Sequence, residues 1–208
     1  MSEQLALLDV DPHAPRDYEA YWTPRWQTEA LLRRIALPRG AHVVEPMAGT
    51  GAIADVLEAR QVHSVWRNDL IQRDVPLDST LDATLRDTWV ILAAGPIDAV
   101  ITNVAFSLAL AMLEHAVLFS PFVATILRRT WDEPAEDKAT GHDRGAWLAT
   151  HPCSAQIVLP RYSYRGTGDT DGVTTAWFIW DRAGYVRQPF DVVTKAERDA
   201  LIAEFGPR

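Results

Sequence analysis

The sequence predicts an α/β fold with a doubly wound, mostly parallel sheet that closes with a C-terminal antiparallel hairpin. Between residues 41 and 129, short apolar segments alternate with amphipathic ones, as strands and helices do in a parallel sheet. The first apolar segment runs into a glycine-rich turn at 45–51, which is typical of a strand that ends beside a ligand. Further on, two apolar segments flank a turn-rich stretch and predict the hairpin.

Length and composition favour one soluble domain. The 208 residues, 48% of them hydrophobic, can bury one core, so we expect residues 1–208 to form a single domain. The sequence has neither an apolar run of about 18 residues nor a basic and apolar leader, so a cytoplasmic protein outside the membrane is expected. Cys153 is the only cysteine and the histidines lack ligand spacing, so we expect no metal site.

The charge of the chain limits its partners. A net charge of -8 and a pI near 5.2 argue against a general affinity for polyanions, because phosphate binding depends on clustered Lys and Arg. The net charge does not exclude a local basic face, since the C-terminal half carries several arginines. They are Arg128, Arg129, Arg144, Arg161 and Arg165.

The N-terminal elements can be taken in order. Residues 1–21 carry acids and prolines with little periodicity, which predicts an irregular arm. Thr23 and Pro24 predict a helix start, with Thr23 as the N-cap and Pro24 as the first helical residue, and this helix should end at 38–40. A strand at Ala41–Glu45 then leads through the glycine turn into a helix at 52–60.

The same alternation continues along the chain. Residues 131–152 are polar and predict a loop insertion with one short helix. No other stretch is free to recognise a particular site on a nucleic acid. If the substrate is a nucleic acid, the sequence that the protein recognises should therefore be short or absent. The remaining predicted elements are strands at 63–68, 89–92, 97–102 and 122–127, a helix at 107–118, and the hairpin strands at 155–160 and 174–181.

The turn at 45–51 is the strongest candidate site. Backbone N–H groups of a glycine-rich turn can approach a ligand at the positive end of a helix. The turn lacks the lysine of a phosphate-binding loop, and an acid at the strand end suits a cationic cofactor such as S-adenosylmethionine. A tight turn without a ligand is the alternative. The predicted cofactor contacts come from Glu45, Pro46, Ala48, Gly49 and Gly51.

Two further acids are candidates for the nucleoside part of that cofactor. Asp69 follows the second strand, where folds of this type hold ribose hydroxyls, although a lone Asp there could simply cap a helix. Asp87 could accept a hydrogen bond from the adenine amino group, and Asp82 competes for that role.

Asn103 and Phe106 follow the strand at 97–102 and should lie beside Glu45. An amide oxygen can accept a hydrogen bond from an aromatic amine while a phenyl ring stacks on the base, which is how a flipped base is held. Asn103 is therefore a candidate for contact with both cofactor and substrate. The alternative is an Asx turn that begins the next helix.

The segment between the hairpin strands could contact a base and its phosphates through aromatic and basic side chains. It could equally be a solvated hairpin end. Trp177 and Trp180, in the second hairpin strand, are expected in the core. The substrate candidates of this segment are Arg161, Tyr162, Tyr164 and Arg165.

The order of these motifs, from about residue 18 to 181, resembles phage and prophage adenine-N6 DNA methyltransferases. Tyr21, Thr23 and Pro24 are similar to their N-terminal element, which closes over the methionine part of the cofactor. The turn at 45–51 and Asp69 resemble their cofactor loop and ribose acid, and residues 98–106 their catalytic strand and loop. Residues 157–161 and 176–180 resemble a C-terminal signature of the small phage members.

The resemblance implies a Rossmann-like methyltransferase that moves a methyl group from S-adenosylmethionine to N6 of adenine in DNA, inside a bacterial host cell. The chain departs from the family at Val104 and Ala105, where the family has two prolines. Those prolines fix φ and present the preceding carbonyl to the amine. Two alternatives stay open: a non-catalytic module that binds nucleic acid or protein, and a methyltransferase for RNA or protein glutamine.

Overall fold

A computed structural model describes residues 23–60, 63–73, 75–161 and 174–206. Tyr21, Tyr162, Tyr164 and Arg165 lie outside the described residues. In chain order, the elements are α1 (Arg25–Leu32), β1 (Ala41–Glu45), α2 (Ala52–Ala59), β2 (His63–Arg67), α3 (Arg86–Leu92), β3 (Ala99–Thr102), a 3₁₀ helix (Phe106–Leu108), α4 (Ala109–Phe119), β4 (Phe122–Arg128), α5 (Arg144–Thr150), β5 (Ala155–Val158), β6 (Thr175–Asp181), β7 (Phe190–Val192) and α6 (Lys195–Phe205).

The described strands form one seven-stranded sheet in the order β2-β1-β3-β4-β6-β5-β7. Strands β2, β1, β3 and β4 are parallel, whereas β6 is antiparallel to both β4 and β5. The predicted fold class and hairpin are therefore confirmed. Strands β1 to β5 all end at one side of the sheet, which we call the carboxyl edge.

Each face of the sheet is covered by helices. On one face, Trp26 of α1, Leu57 of α2 and Leu201 of α6 pack in a common core. On the other face, Trp89 of α3 and Leu113 of α4 pack in a second core. Burial on both faces explains why the central strands consist almost entirely of apolar residues.

The predicted strand at 89–92 is wrong, because these residues belong to helix α3. Trp89 is fully buried and its Nε1 donates to the Ala83 carbonyl over 2.9 Å, while Val90 and Ile91 are exposed. The apolar run is too short for its periodicity to distinguish a strand from a helix. With α3 assigned, β3 is the third strand in the chain and begins at Ala99.

The predicted start of α1 is also wrong. The helix begins at Arg25, and Pro24, with φ -63° and ψ 143°, is the extended residue before it. The N-terminus has no side-chain cap, so Thr23 does not have the predicted role. The helix ends at Leu32, before the expected stop at 38–40.

The segment at 131–152 contains the predicted short helix, α5, but part of it belongs to the core. Trp131 is buried, and its ring lies 6.1 Å from the rings of Phe178 and Trp180. Trp177 and Trp180 are both buried, as expected. Within the described residues, no helix has the length and apolar character to cross a membrane.

Candidate active site

The turn after β1 lies at the carboxyl edge between the ends of β2 and β3. Its backbone is held by hydrogen bonds from Ala48 N to the Asn68 carbonyl (2.8 Å) and from Gly51 N to the Ala48 carbonyl (2.7 Å). Gly49 and Gly51 have φ of 55° and 75°, in the left-handed region that favours glycine. The sequence therefore needs glycine at these two positions to form this turn.

The space beside Gly49 is open. A Cβ built on this residue would have no heavy atom within 4 Å, apart from its chain neighbours. A Cβ on Gly51 would instead contact Asp55 Oδ1 and Val75 Cγ2, both at 3.7 Å. The two glycines thus differ: Gly49 borders free volume, and Gly51 packs against α2.

Asp69 supports the turn from the end of β2. Its Oδ2 accepts a hydrogen bond from Gly49 N over 2.7 Å, and its Oδ1 accepts one from Ile71 N over 3.1 Å. Each carboxylate oxygen has a second lone pair, so Asp69 can also accept a ribose hydroxyl. Its assignment to the ribose stays a prediction.

Asn68 has a structural role that the sequence reasoning missed. It is fully buried, and its Nδ2 donates to the Pro46 carbonyl (2.9 Å) and the Leu81 carbonyl (2.8 Å). Its Oδ1 accepts from Leu81 N (3.0 Å) and Ser79 Oγ (2.7 Å). Asn68 therefore holds the glycine turn at 45–51 against the segment that precedes α3. Its signal in the sequence is a polar residue directly after a strand.

Glu45 lies beneath the turn. Its side chain is buried, and its Oε2 accepts a hydrogen bond from Ala54 N, in the first turn of α2, over 2.9 Å. Burial raises the pKa of this carboxyl well above its ordinary value. One oxygen of Glu45 is thus engaged by the protein rather than held for a cationic cofactor.

Glu45→Gln is expected to stabilise the protein more as the pH rises. Because the folded-state pKa is raised, the favourable contribution of protonated Glu45 is complete below its unfolded-state pKa and is lost as the pH rises through the folded-state pKa. Glutamine keeps an acceptor for Ala54 N and does not ionise. We expect the free energy of unfolding of the variant, relative to the parent, to increase between about pH 5 and about pH 8 in urea titrations.

The exposed Glu133 provides the control. Glu133→Gln should show the same free energy of unfolding, relative to the parent, at both pH values. A constant difference for Glu45→Gln would mean that Glu45 ionises normally in the folded protein.

Asn103 emerges from the end of β3 with only one half of its amide paired. Its Nδ2 donates to Thr23 Oγ1 over 3.1 Å. Its Oδ1 is buried and has no hydrogen-bond partner among the described residues. The Asx-turn alternative is therefore wrong, because that turn requires Oδ1 to accept a backbone N–H.

Phe106 begins the 3₁₀ helix after Asn103 and is half-buried. The Arg128 guanidinium, at the end of β4, lies 5.1 Å from the centre of its ring. The carboxyl edge thus brings together the glycine turn at 45–51, Asn103 and Phe106.

The other candidates lie around this centre. Asp87 is exposed in the first turn of α3, where a negative charge favours the helix, and its contact with adenine stays a prediction. Asp82 Oδ1 is occupied by Thr84, whose N and Oγ1 donate over 2.9 and 2.7 Å. Arg161 is exposed beyond β5. Among the described residues, no group of acids, histidines and cysteine could hold a metal ion.

Comparison with known proteins establishes the fold. No protein-family model and no curated protein matches the sequence. The structure is similar to a candidate hemolysin from Streptococcus thermophilus, with 14% identity, 86% of this chain and 72% of that chain covered, and a TM-score of 0.52. It is also similar to a candidate RNA methyltransferase from Pyrococcus horikoshii, with 12% identity, 76% and 81% coverage, and a TM-score of 0.51.

A third similar structure is the 23S rRNA methyltransferase ErmE, with 12% identity, 85% of this chain and 71% of that chain covered, and a TM-score of 0.50. At such low identity these likenesses concern the fold alone. The chain therefore has a Rossmann-like methyltransferase fold. Membership of the adenine-N6 DNA methyltransferases stays a prediction.

Proposed function

We propose that the protein transfers a methyl group from S-adenosylmethionine to the N6 amine of adenine in DNA. The observation that carries this proposal is the buried Oδ1 of Asn103, beside the glycine turn, which has no hydrogen-bond partner among the described residues. A buried acceptor without a partner costs about 1–3 kcal/mol, so its presence calls for an explanation. An amine bound in front of β3 would supply the missing donor.

The residues of the turn fit the cofactor. The open space at Gly49 would admit the ligand to the backbone of the turn, and Asp69, which already accepts from Gly49 N, would hold the ribose. Tyr21, Thr23 and Pro24 would close over the methionine part, as the family resemblance implies. When bound, S-adenosylmethionine supplies an activated methyl group on its sulfonium.

Asn103 would orient the amine, and Phe106 would hold the base. Thr23 Oγ1 accepts a hydrogen bond from Nδ2 of Asn103, so Oδ1 would be left to accept one from the substrate. The N6 nitrogen gains the methyl group and loses a proton, so an acceptor near that nitrogen favours its approach to tetrahedral geometry. Catalysis of this kind is mainly positioning and electrostatics.

A second candidate function is a binding module without catalysis. The side chain of Val104, at a position where the family has proline, is completely buried in the core formed with α3 and α4. This loop is therefore held by side-chain packing rather than by the two prolines of the family. Such a loop could bind a base without presenting a carbonyl to its amine.

Calorimetry with S-adenosylmethionine, followed by mass spectrometry of nucleosides from treated DNA, tests the proposal. N6-methyladenine in DNA is the expected product. Methylation of RNA or of protein glutamine instead would mean that the reaction is as proposed but that the methyl acceptor is a different molecule. Cofactor binding without methylation of any of these would favour the binding module, and no cofactor binding would contradict the proposal.

Ala105→Pro is expected to fold normally and to raise the methylation rate a few-fold. Ala105 has φ -56°, which proline adopts without strain, and its N–H makes no hydrogen bond to the described residues. Val104→Pro should instead destabilise the protein by about 1–3 kcal/mol, because the buried valine is lost from the core. The yield of N6-methyladenine and the urea midpoint of unfolding are measured for each variant and compared with those of the parent.

The double variant, with proline at both positions, should show the stability of Val104→Pro rather than that of Ala105→Pro. If Ala105→Pro lowers the rate while the fold is intact, the loop needs freedom at this residue, and the comparison with the family prolines fails.

A further inference from the structure

Two arginines converge on the start of β6 at the carboxyl edge. Arg128 is the last residue of β4 and lies in register with Thr175, the first residue of β6. Arg161 lies just beyond β5 on the other side of β6, and its Nε donates to Thr174 Oγ1 over 3.5 Å. Because β6 lies between β4 and β5, the two arginines follow strands on either side of β6.

Neither guanidinium is neutralised within the described part of the chain. Arg128 and Arg161 are exposed, and no described carboxylate forms an ion pair with either. The neighbouring Arg129 differs, since it lies 3.5 Å from Asp132. In a chain with a net charge of -8, two unpaired arginines beside the candidate active site form a local positive surface.

Within the described ranges, Arg128 has an aromatic contact and Arg161 has none. The guanidinium carbon of Arg128 lies over the ring of Phe106, 5.1 Å from the centre of the ring, within the range of a cation–π contact. The N–H groups of a guanidinium point outward in its plane and make no hydrogen bonds to the described residues here. The Arg128 guanidinium can therefore contact the Phe106 ring and bind an anion at the same time, because its N–H groups are not used by the described residues.

We propose that Arg128 is a positioning residue that binds a backbone phosphate next to the target nucleotide and holds Phe106 against the base. Arg161 would bind a second phosphate of the same strand. This inference rests on the proposed function for the identity of the base, but the phosphate contact itself requires no catalysis. Arginine suits this role, because lysine lacks both the planar face and the bidentate edge.

The test measures binding of a fluorescent, adenine-containing single-stranded DNA oligonucleotide by anisotropy over a series of KCl concentrations. Arg128→Ala should weaken binding about tenfold at low salt and lower the slope of log affinity against log salt by about 0.7, the value for one phosphate on a single strand. Arg39→Ala, which removes an exposed arginine at the opposite edge of the sheet, is the matched control and should behave as the parent does.

Arg128→Lys separates the two roles. It should keep the salt slope of the parent, because the charge remains, but lower kcat with saturating substrate, because the ring contact is weakened. Arg128→Ala and Arg39→Ala with equal salt slopes would overturn the inference, as would a parent protein that does not bind the oligonucleotide. A reduced slope in Arg128→Ala, with no methylation by the parent, would keep the phosphate site and reject the proposed function.

Discussion

Asn103→Ala is expected to lower kcat by about 100-fold or more, with little change in the affinity for S-adenosylmethionine. In the proposed reaction, Oδ1 of Asn103 accepts a hydrogen bond that strengthens as the amine approaches its transition state. Loss of one such preorganised group typically costs about 100-fold to 1,000-fold. Steady-state kinetics gives kcat, and calorimetry gives the cofactor affinity, so the two effects can be separated.

The stability of the same variant tests whether Asn103 is structural. Because Oδ1 has no partner among the described residues, its removal should not destabilise the protein by more than about 1 kcal/mol, even though the bond from Nδ2 to Thr23 is lost. Thr23→Ser, which keeps the hydroxyl that accepts from Nδ2 of Asn103, is the control for the loss of this bond. Methylation at the parent rate by Asn103→Ala would refute the catalytic assignment, and a large loss of stability would make Asn103 a structural residue.

Three buried polar atoms near the end of β3 have no hydrogen-bond partner among the described residues, and further atoms of this kind, such as Arg67 Nε and Trp131 Nε1, lie elsewhere. Thr102 and Thr125 lie opposite each other on β3 and β4, and their buried hydroxyls have no partner among the described residues. Together with Asn103 Oδ1, they place several costly groups within one region of the carboxyl edge. Exceptions to local rules are expected where a protein binds or reacts, which supports the position of the proposed site.

The parts of the fold that follow simple patterns could be predicted from the sequence. The bounds of β1 are those expected, and β6 differs by one residue, because strands buried on both faces are continuous apolar runs between turns. The glycine turn was predictable for a related reason, since only glycine adopts positive φ without strain. Both signals are local in the sequence.

Features that depend on distant contacts could not be predicted in this way. Thr23 precedes a proline and has the sequence of an N-cap, but its hydroxyl is directed to Asn103, which is remote in the chain. The elements β7 and α6 were not predicted either. Helix α6 had a usable signal, since Thr194 Oγ1 accepts a hydrogen bond from Glu197 N in the pattern of a capping box.

Gly51→Val is expected to weaken the binding of S-adenosylmethionine at least tenfold, or about 1.4 kcal/mol. Gly51 has φ 75°, which valine adopts only with strain, and a Cβ there already reaches contact distance from Asp55 and Val75. The larger side chain would therefore displace the turn that is proposed to line the cofactor site. Gly49→Val should weaken binding as well, because its side chain would stand in the open space beside the turn.

Gly40→Val separates backbone strain from loss of the site. Gly40 has φ 72°, has no heavy atom within 4 Å of a built Cβ and precedes β1 at the opposite edge of the sheet. We expect this variant to lose about 1–2 kcal/mol of stability through the same strain while its cofactor affinity stays that of the parent. Calorimetry on all three folded variants measures the difference. Parent-like affinity in both Gly49→Val and Gly51→Val would exclude the turn as the cofactor site, because neither the open space nor the backbone of the turn would then matter for binding.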